Sequence, residues 1–116
     1  MTPPDVELMS IIQGMIEATE GLQAALEAQN ENRREQLRRL GEGEELRDIV
    51  VSMPVVGTRT TAKAAQERME SQRKALRSAI MCRCIDEGLT NRDIAKIWGV
   101  SVQLVSRYTG TRHVPG

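Results

Sequence analysis

The sequence predicts an all-α protein: a long N-terminal helix of coiled-coil type, a connector, and a C-terminal group of three short helices. Three observations carry that expectation. Only 2% of the 116 residues are aromatic, with no Phe, one Trp and one Tyr, so any core must be built from Leu, Ile, Val, Met and Ala. Burying each large side chain of that kind is worth about 1.5–3 kcal/mol. Apolar residues recur every three or four positions in both halves, which is the period of a helix face. Gly and Pro interrupt these runs at residues 41–43, 54–57, 88 and 99, as punctuation between helices does.

The first helix starts at Thr2-Pro3-Pro4-Asp5. Thr2 is the expected N-cap, prolines suit a first turn that needs no amide donors, and Asp5 and Glu7 face the positive end of the dipole. Stepping by fours and threes from Leu8 reaches Ile12, Met15, Thr19, Leu22, Leu26, Gln29, Arg33 and Gln36, with Met9 and Ile16 beside the stripe. The steps from Leu8 to Leu26 read as a heptad seam, and the seam then turns polar. A helix of about 36 residues is about 54 Å long, which is more than the rest of so short a chain can cover. Leu8, Ile12, Met15, Leu22 and Leu26 are therefore the candidate self-association residues, and the alternative is an intramolecular hairpin with residues 60–87. Gly41-Glu42-Gly43 closes the segment, since glycines cost about 1 kcal/mol each inside a helix. This gives an oligomerisation helix over 1–43.

Residues 44–60 read as a connector, a short helical turn over 44–51 followed by Ser52-Met53-Pro54-Val55-Val56-Gly57. Ile49, Val50, Val51, Val55 and Val56 are too apolar for a free linker, and are expected to pack on a neighbouring helix or to form a short strand. A C-terminal domain over 61–116 then opens with Thr60 or Thr61 as cap of a helix carrying Ala64, Ala65, Met69, Leu76, Ile80, Cys84 and Ile85, with a bend or split near Ser71 and a stop at Gly88. Thr90-Asn91-Arg92-Asp93 carries the spacing of a reciprocal N-cap. It starts a second helix with Ile94, Ala95 and Trp98 on one side. Gly99 ends that helix, and Ser101 caps a third containing Leu104, Val105 and Tyr108.

The formal net charge is zero, but its halves differ. Residues 1–57 hold 5 Lys/Arg against 11 Asp/Glu, and residues 58–116 hold 11 against 5, a net −6 and +6. A basic half joined to an acidic one points to a nucleic-acid-binding module attached to something that does not bind it. Cys82 and Cys84 have neither redox nor zinc-pair spacing and read as reduced thiols beside a packed face. The opening residues lack a positively charged leader and no apolar run approaches the ~20 residues that span a bilayer, so a cytoplasmic protein without membrane contact is expected. No Gly-rich phosphate loop, metal-ligand cluster or nucleophile with a partner His is present. Neither catalysis, a metal nor a cofactor is expected.

Residues Leu89 through Tyr108, with Ala95, Gly99 four later and Val105 six after that, resemble a helix-turn-helix DNA-binding motif. The likeness covers residues 73–116, and the segment Ser106 to Pro115 is similar to the stretch after the recognition helix in phage-repressor-like domains. Sigma-factor region 4 and resolvase-type segments share the core pattern. The resemblance implies that the third helix enters a major groove of double-stranded DNA. It then implies Val102, Gln103, Ser106 and Arg107 as base contacts. Thr90, Asn91, Arg92, Ser101, Thr109, Thr111 and Arg112 are the implied phosphate contacts, with Lys96 and His113 weaker ones. Trp98 is expected in the core.

Taken together, the expectation is an oligomeric, sequence-specific DNA-binding protein, a transcriptional regulator of bacterial or phage type. Two other tasks fit the same pattern. One is a phage DNA-processing factor such as a small terminase subunit or an excisionase-like accessory protein, which a ring-shaped assembly would favour. The other is an adaptor whose acidic helix docks a protein partner, which absent or salt-independent DNA affinity would favour.

Overall fold

Helices α1 (Pro3–Gly41), α2 (Leu46–Ser52), α3 (Val55–Asp86), α4 (Asn91–Trp98) and α5 (Val102–Thr109) make up nearly all of the described residues, 2–53 and 55–110, of the computed structural model. Among the described residues there is no strand, and no helix is long and apolar enough to cross a membrane. The chain divides into two compact units, Met1–Met15 with Gln72–Gly116, and Ile16–Ser71. These are spatial groupings and each draws on both long helices.

In the first unit Thr2 caps α1 as its sequence predicts. Its hydroxyl lies 2.7 Å from the Asp5 carboxylate, and the Asp5 amide bonds back to the Thr2 carbonyl at 3.0 Å. The other Asp5 oxygen accepts from Arg83 of α3 at 2.6 Å, and Gly14 faces Gln72, so the start of α1 lies antiparallel along the end of α3. At the far end of α3 the chain turns where Gly88 was expected to stop it: φ is +105° there, and the Leu89 amide reaches back to the Cys84 carbonyl at 2.9 Å. Met81 and Ile85 of α3, Ile94 and Ala95 of α4 and Val105 of α5 form one buried cluster, with Cys84, Trp98, Val100 and Tyr108 packed against it.

The Thr2 hydroxyl, and after it the Arg83 guanidinium, hold the Asp5 carboxyl below its ordinary range. A carboxyl whose folded pKa is depressed adds stability above its unfolded pKa, near 4, and that contribution fades as pH falls through the lower folded value. Asp5→Asn is thus expected to narrow the difference in melting temperature between pH 7 and pH 3, measured by circular dichroism.

In the second unit α1 and α3 lie side by side where the Asn32 amide donates to the Thr58 hydroxyl at 3.1 Å. Its buried apolar side chains are Ala18, Ala25, Ile49 and Ala62. α1 ends in a left-handed turn at Gly43, φ +89°, with Glu44 bonded to the Arg39 carbonyl. Arg39 then grips Glu44 and the Ser52 hydroxyl of α2 at 2.8 and 2.7 Å.

On α1 the positions turned towards the rest of the chain step from Leu8 by a three first, through Ile11, Met15, Ala18, Leu22, Ala25 and Gln29, whereas Ile12 and Leu26 of the expected self-association seam are exposed. Alanine at these positions lets neighbouring helix axes approach more closely than leucine allows. The third helix begins at Val55, ahead of the expected Thr60 or Thr61 cap, and Thr60 sits inside it with its hydroxyl on the Val56 carbonyl at 2.9 Å. It also continues through Ser71 without a break. Of the connector's aliphatic residues only Ile49 is buried, while Val50, Val51 and Val56 are exposed and the Val55 side chain lies outside the description.

Candidate nucleic-acid interface

The helix starts at α4 and α5 follow directly from local sequence. Thr90 accepts from the Asp93 amide at 3.1 Å while the Asp93 carboxylate accepts from the Thr90 amide at 3.0 Å, closing a reciprocal cap. The Thr90 backbone amide, and then its hydroxyl, hold the Asp93 carboxyl below its ordinary range. Gly99 adopts φ +66° and, with Val100, returns its amide to the Ala95 carbonyl. A side chain at this φ would be strained by about 1–2 kcal/mol, so a glycine is required for the tight turn. Ser101 then caps α5 by accepting from the Leu104 amide at 3.1 Å.

These turns fix which way α5 faces. Val105 and Thr109 are buried and Tyr108 is half-buried, so Gln103 and Arg107 lie on the opposite face, with Val102 and Ser106 on the flank between. Val102, Gln103 and Arg107 are exposed, and Ser106 is half-buried. Thr90, Arg92 and Ser101 are exposed at the capped starts, and Lys96 is exposed in the last turn of α4. The four residues expected at base edges are therefore brought together, and exposed polar groups stand at both helix N-termini.

Two expected contacts are placed differently. Thr109 is 3% exposed and its hydroxyl donates to the Val105 carbonyl at 3.0 Å, so it is turned away from any phosphate. Its position one turn after the Val105 anchor puts it on the core side. Asn91 is half-buried, and its amide donates to the Ser106 hydroxyl at 3.2 Å, which joins α4 to α5. Thr111, Arg112 and His113 lie outside the described residues.

Sequence reasoning missed Arg77. Its guanidinium carbon lies 5.3 Å from the centre of the Trp98 ring and 5.7 Å from that of Tyr108, within the reach of cation–π attraction worth about 0.5–2 kcal/mol. The signal was an arginine one turn before Met81 on the face that continues to Ile85. Nearby, Ser78 donates to the Tyr108 carbonyl at 2.8 Å, and the Cys82 thiol also approaches it. Trp98 packs against the buried cluster as expected. Both cysteines are free, and burial, with Glu87 adding to it, pushes the Cys84 thiol up. Among the described residues no group of His, Cys, Asp and Glu is arranged to hold a metal ion.

The self-association candidates are divided. Leu8, Met15 and Leu22 are half-buried, whereas Ile12 and Leu26 are exposed together with Met9 and Ile16. Compared with known proteins, the chain matches no protein-family model, no curated protein and no solved structure.

Proposed function

We propose that this protein binds double-stranded DNA sequence-selectively through a helix-turn-helix formed by α4 and α5, and that it acts as an oligomeric regulator of transcription in the cytoplasm of a bacterium or of a phage-infected cell. One observation carries the reading: Gln103 and Arg107 lie on the face of a short, capped helix opposite its Val105 anchor, and Val102 and Ser106 flank them. A helix presented in this way fits a major groove. Gln103 pairs with adenine, Arg107 with guanine or a phosphate, and Val102 touches a thymine methyl. Arg92 and the exposed amides at the helix starts serve the backbone. Asn91 positions Ser106 and leaves the phosphate contacts to its neighbours.

The excess of Lys/Arg over residues 58–116 supports the same reading, because phosphate neutralisation supplies most of the sequence-independent affinity. Selection of bound sites from random duplex DNA tests it. The expected outcome is enrichment of a short motif, duplicated as an inverted repeat if two subunits engage it. A pool that stays random after several rounds contradicts the reading.

A further inference from the structure

We propose that the end of the second unit formed around α2 is a docking surface for a second copy of this chain. Leu37 and Leu40 of α1, Leu46, Val50 and Val51 of α2, and Val56 of α3 are all exposed, with Val51 at 86%, Val56 at 79% and Leu37 at 72%. Among its described apolar side chains the same unit buries only Ala18, Ala25, Ile49 and Ala62. It therefore shows solvent larger aliphatic groups than it covers, the reverse of what a self-sufficient helical unit does.

Area and charge point to the occupant. The six side chains expose on the order of 600 Å² of apolar surface, close to the ~800 Å² that each partner contributes to a standard stable interface. Residues 35–59 carry four arginines against five carboxylates, and three of the arginines are already matched within the chain. Arg39 pairs with Glu44, Arg38 with Glu35 and Glu42, and Arg47 with Glu45. A rim so nearly neutral has no field to attract nucleic acid or an anionic headgroup, and two copies meet without net repulsion. In a two-fold contact each residue meets its counterpart's neighbour in both directions. Arg47 of one copy can thus face Glu45 or Asp48 of the other, while Leu46 and Val50, one turn apart on α2, fill the centre. The surface uses other residues than the exposed stripe of Met9, Ile12 and Ile16 on α1.

The test is the mass of the full chain by light scattering coupled to size exclusion, up to about 100 µM. The expected result is a dimer for the native sequence and for Ile12→Asp/Ile16→Asp, and a monomer for Val51→Asp/Val56→Asp with an unchanged helical spectrum. Val51→Thr/Val56→Thr keeps the branched shape and so the helix, and is expected to weaken dimerisation by tenfold or more. A monomeric native chain, a Val51/Val56 variant that keeps the native affinity, or loss of the dimer on changing Ile12 and Ile16 would each overturn the proposal. DNA-site selection reads a separate outcome: a monomer that selects a single half-site leaves the proposed function standing and removes this interface.

Discussion

Replacing Met81 by alanine is expected to lower the unfolding free energy by about 2–5 kcal/mol, the largest effect of any single truncation proposed for this chain. Met81 is fully buried and belongs to the one cluster in which α3, α4 and α5 all take part. Removing its thioether leaves a void that must be closed by moving Ile94 or Val105. Both of those are themselves buried in the short helices. Chemical denaturation followed by Trp98 fluorescence reads the loss locally, since Trp98 packs against that cluster. Because α5 owes its orientation to Val105, DNA affinity should fall with the same substitution. A change below about 0.5 kcal/mol would mean that the three helices do not depend on this cluster.

Gln103→Ala and Arg107→Ala are each expected to cost about 1–3 kcal/mol on the selected site and to relax preference at one or two base pairs. Both side chains are exposed on the face of α5 opposite Val105, so their removal leaves the fold intact and separates recognition from stability. Arg92→Ala, at the start of α4, should instead weaken all sequences alike. Competition binding against single-base variants of the selected site distinguishes the two patterns. Uniform loss from Gln103→Ala and Arg107→Ala would remove α5 as the reading element.

The C-terminal elements were legible because their signals are local. Thr90 with Asp93, Gly99 and Ser101 each fix a turn through bonds made within a few residues, and Ile94, Ala95 and Val105 then have one way to face. The hairpin face of α1 was half legible. Leu8, Met15 and Leu22 fall on it, but the choice between Ile11 and Ile12, or Ala25 and Leu26, depends on how closely the neighbouring helix lies, and the heptad pattern alone carries no such information. Val55 and Val56 read as strand or turn formers by their branching, yet they begin α3. Local propensity is a weak prior that a long helix overrides. Thr109 shows the limit for the site itself: one position past Tyr108, it lies on the buried side of α5, while a polar residue type suggests the surface.

Binding of double-stranded DNA through the basic half is read by the salt dependence of affinity for the selected duplex. Each phosphate neutralised by Lys or Arg releases counterions and contributes about −0.9 to the slope of log affinity against log salt. A slope of about −4 or steeper is expected when two subunits engage the site, because Arg92 and Lys96 of α4 are exposed in each and would each meet a phosphate, with Arg107 of α5 adding to them. A slope near zero contradicts the account.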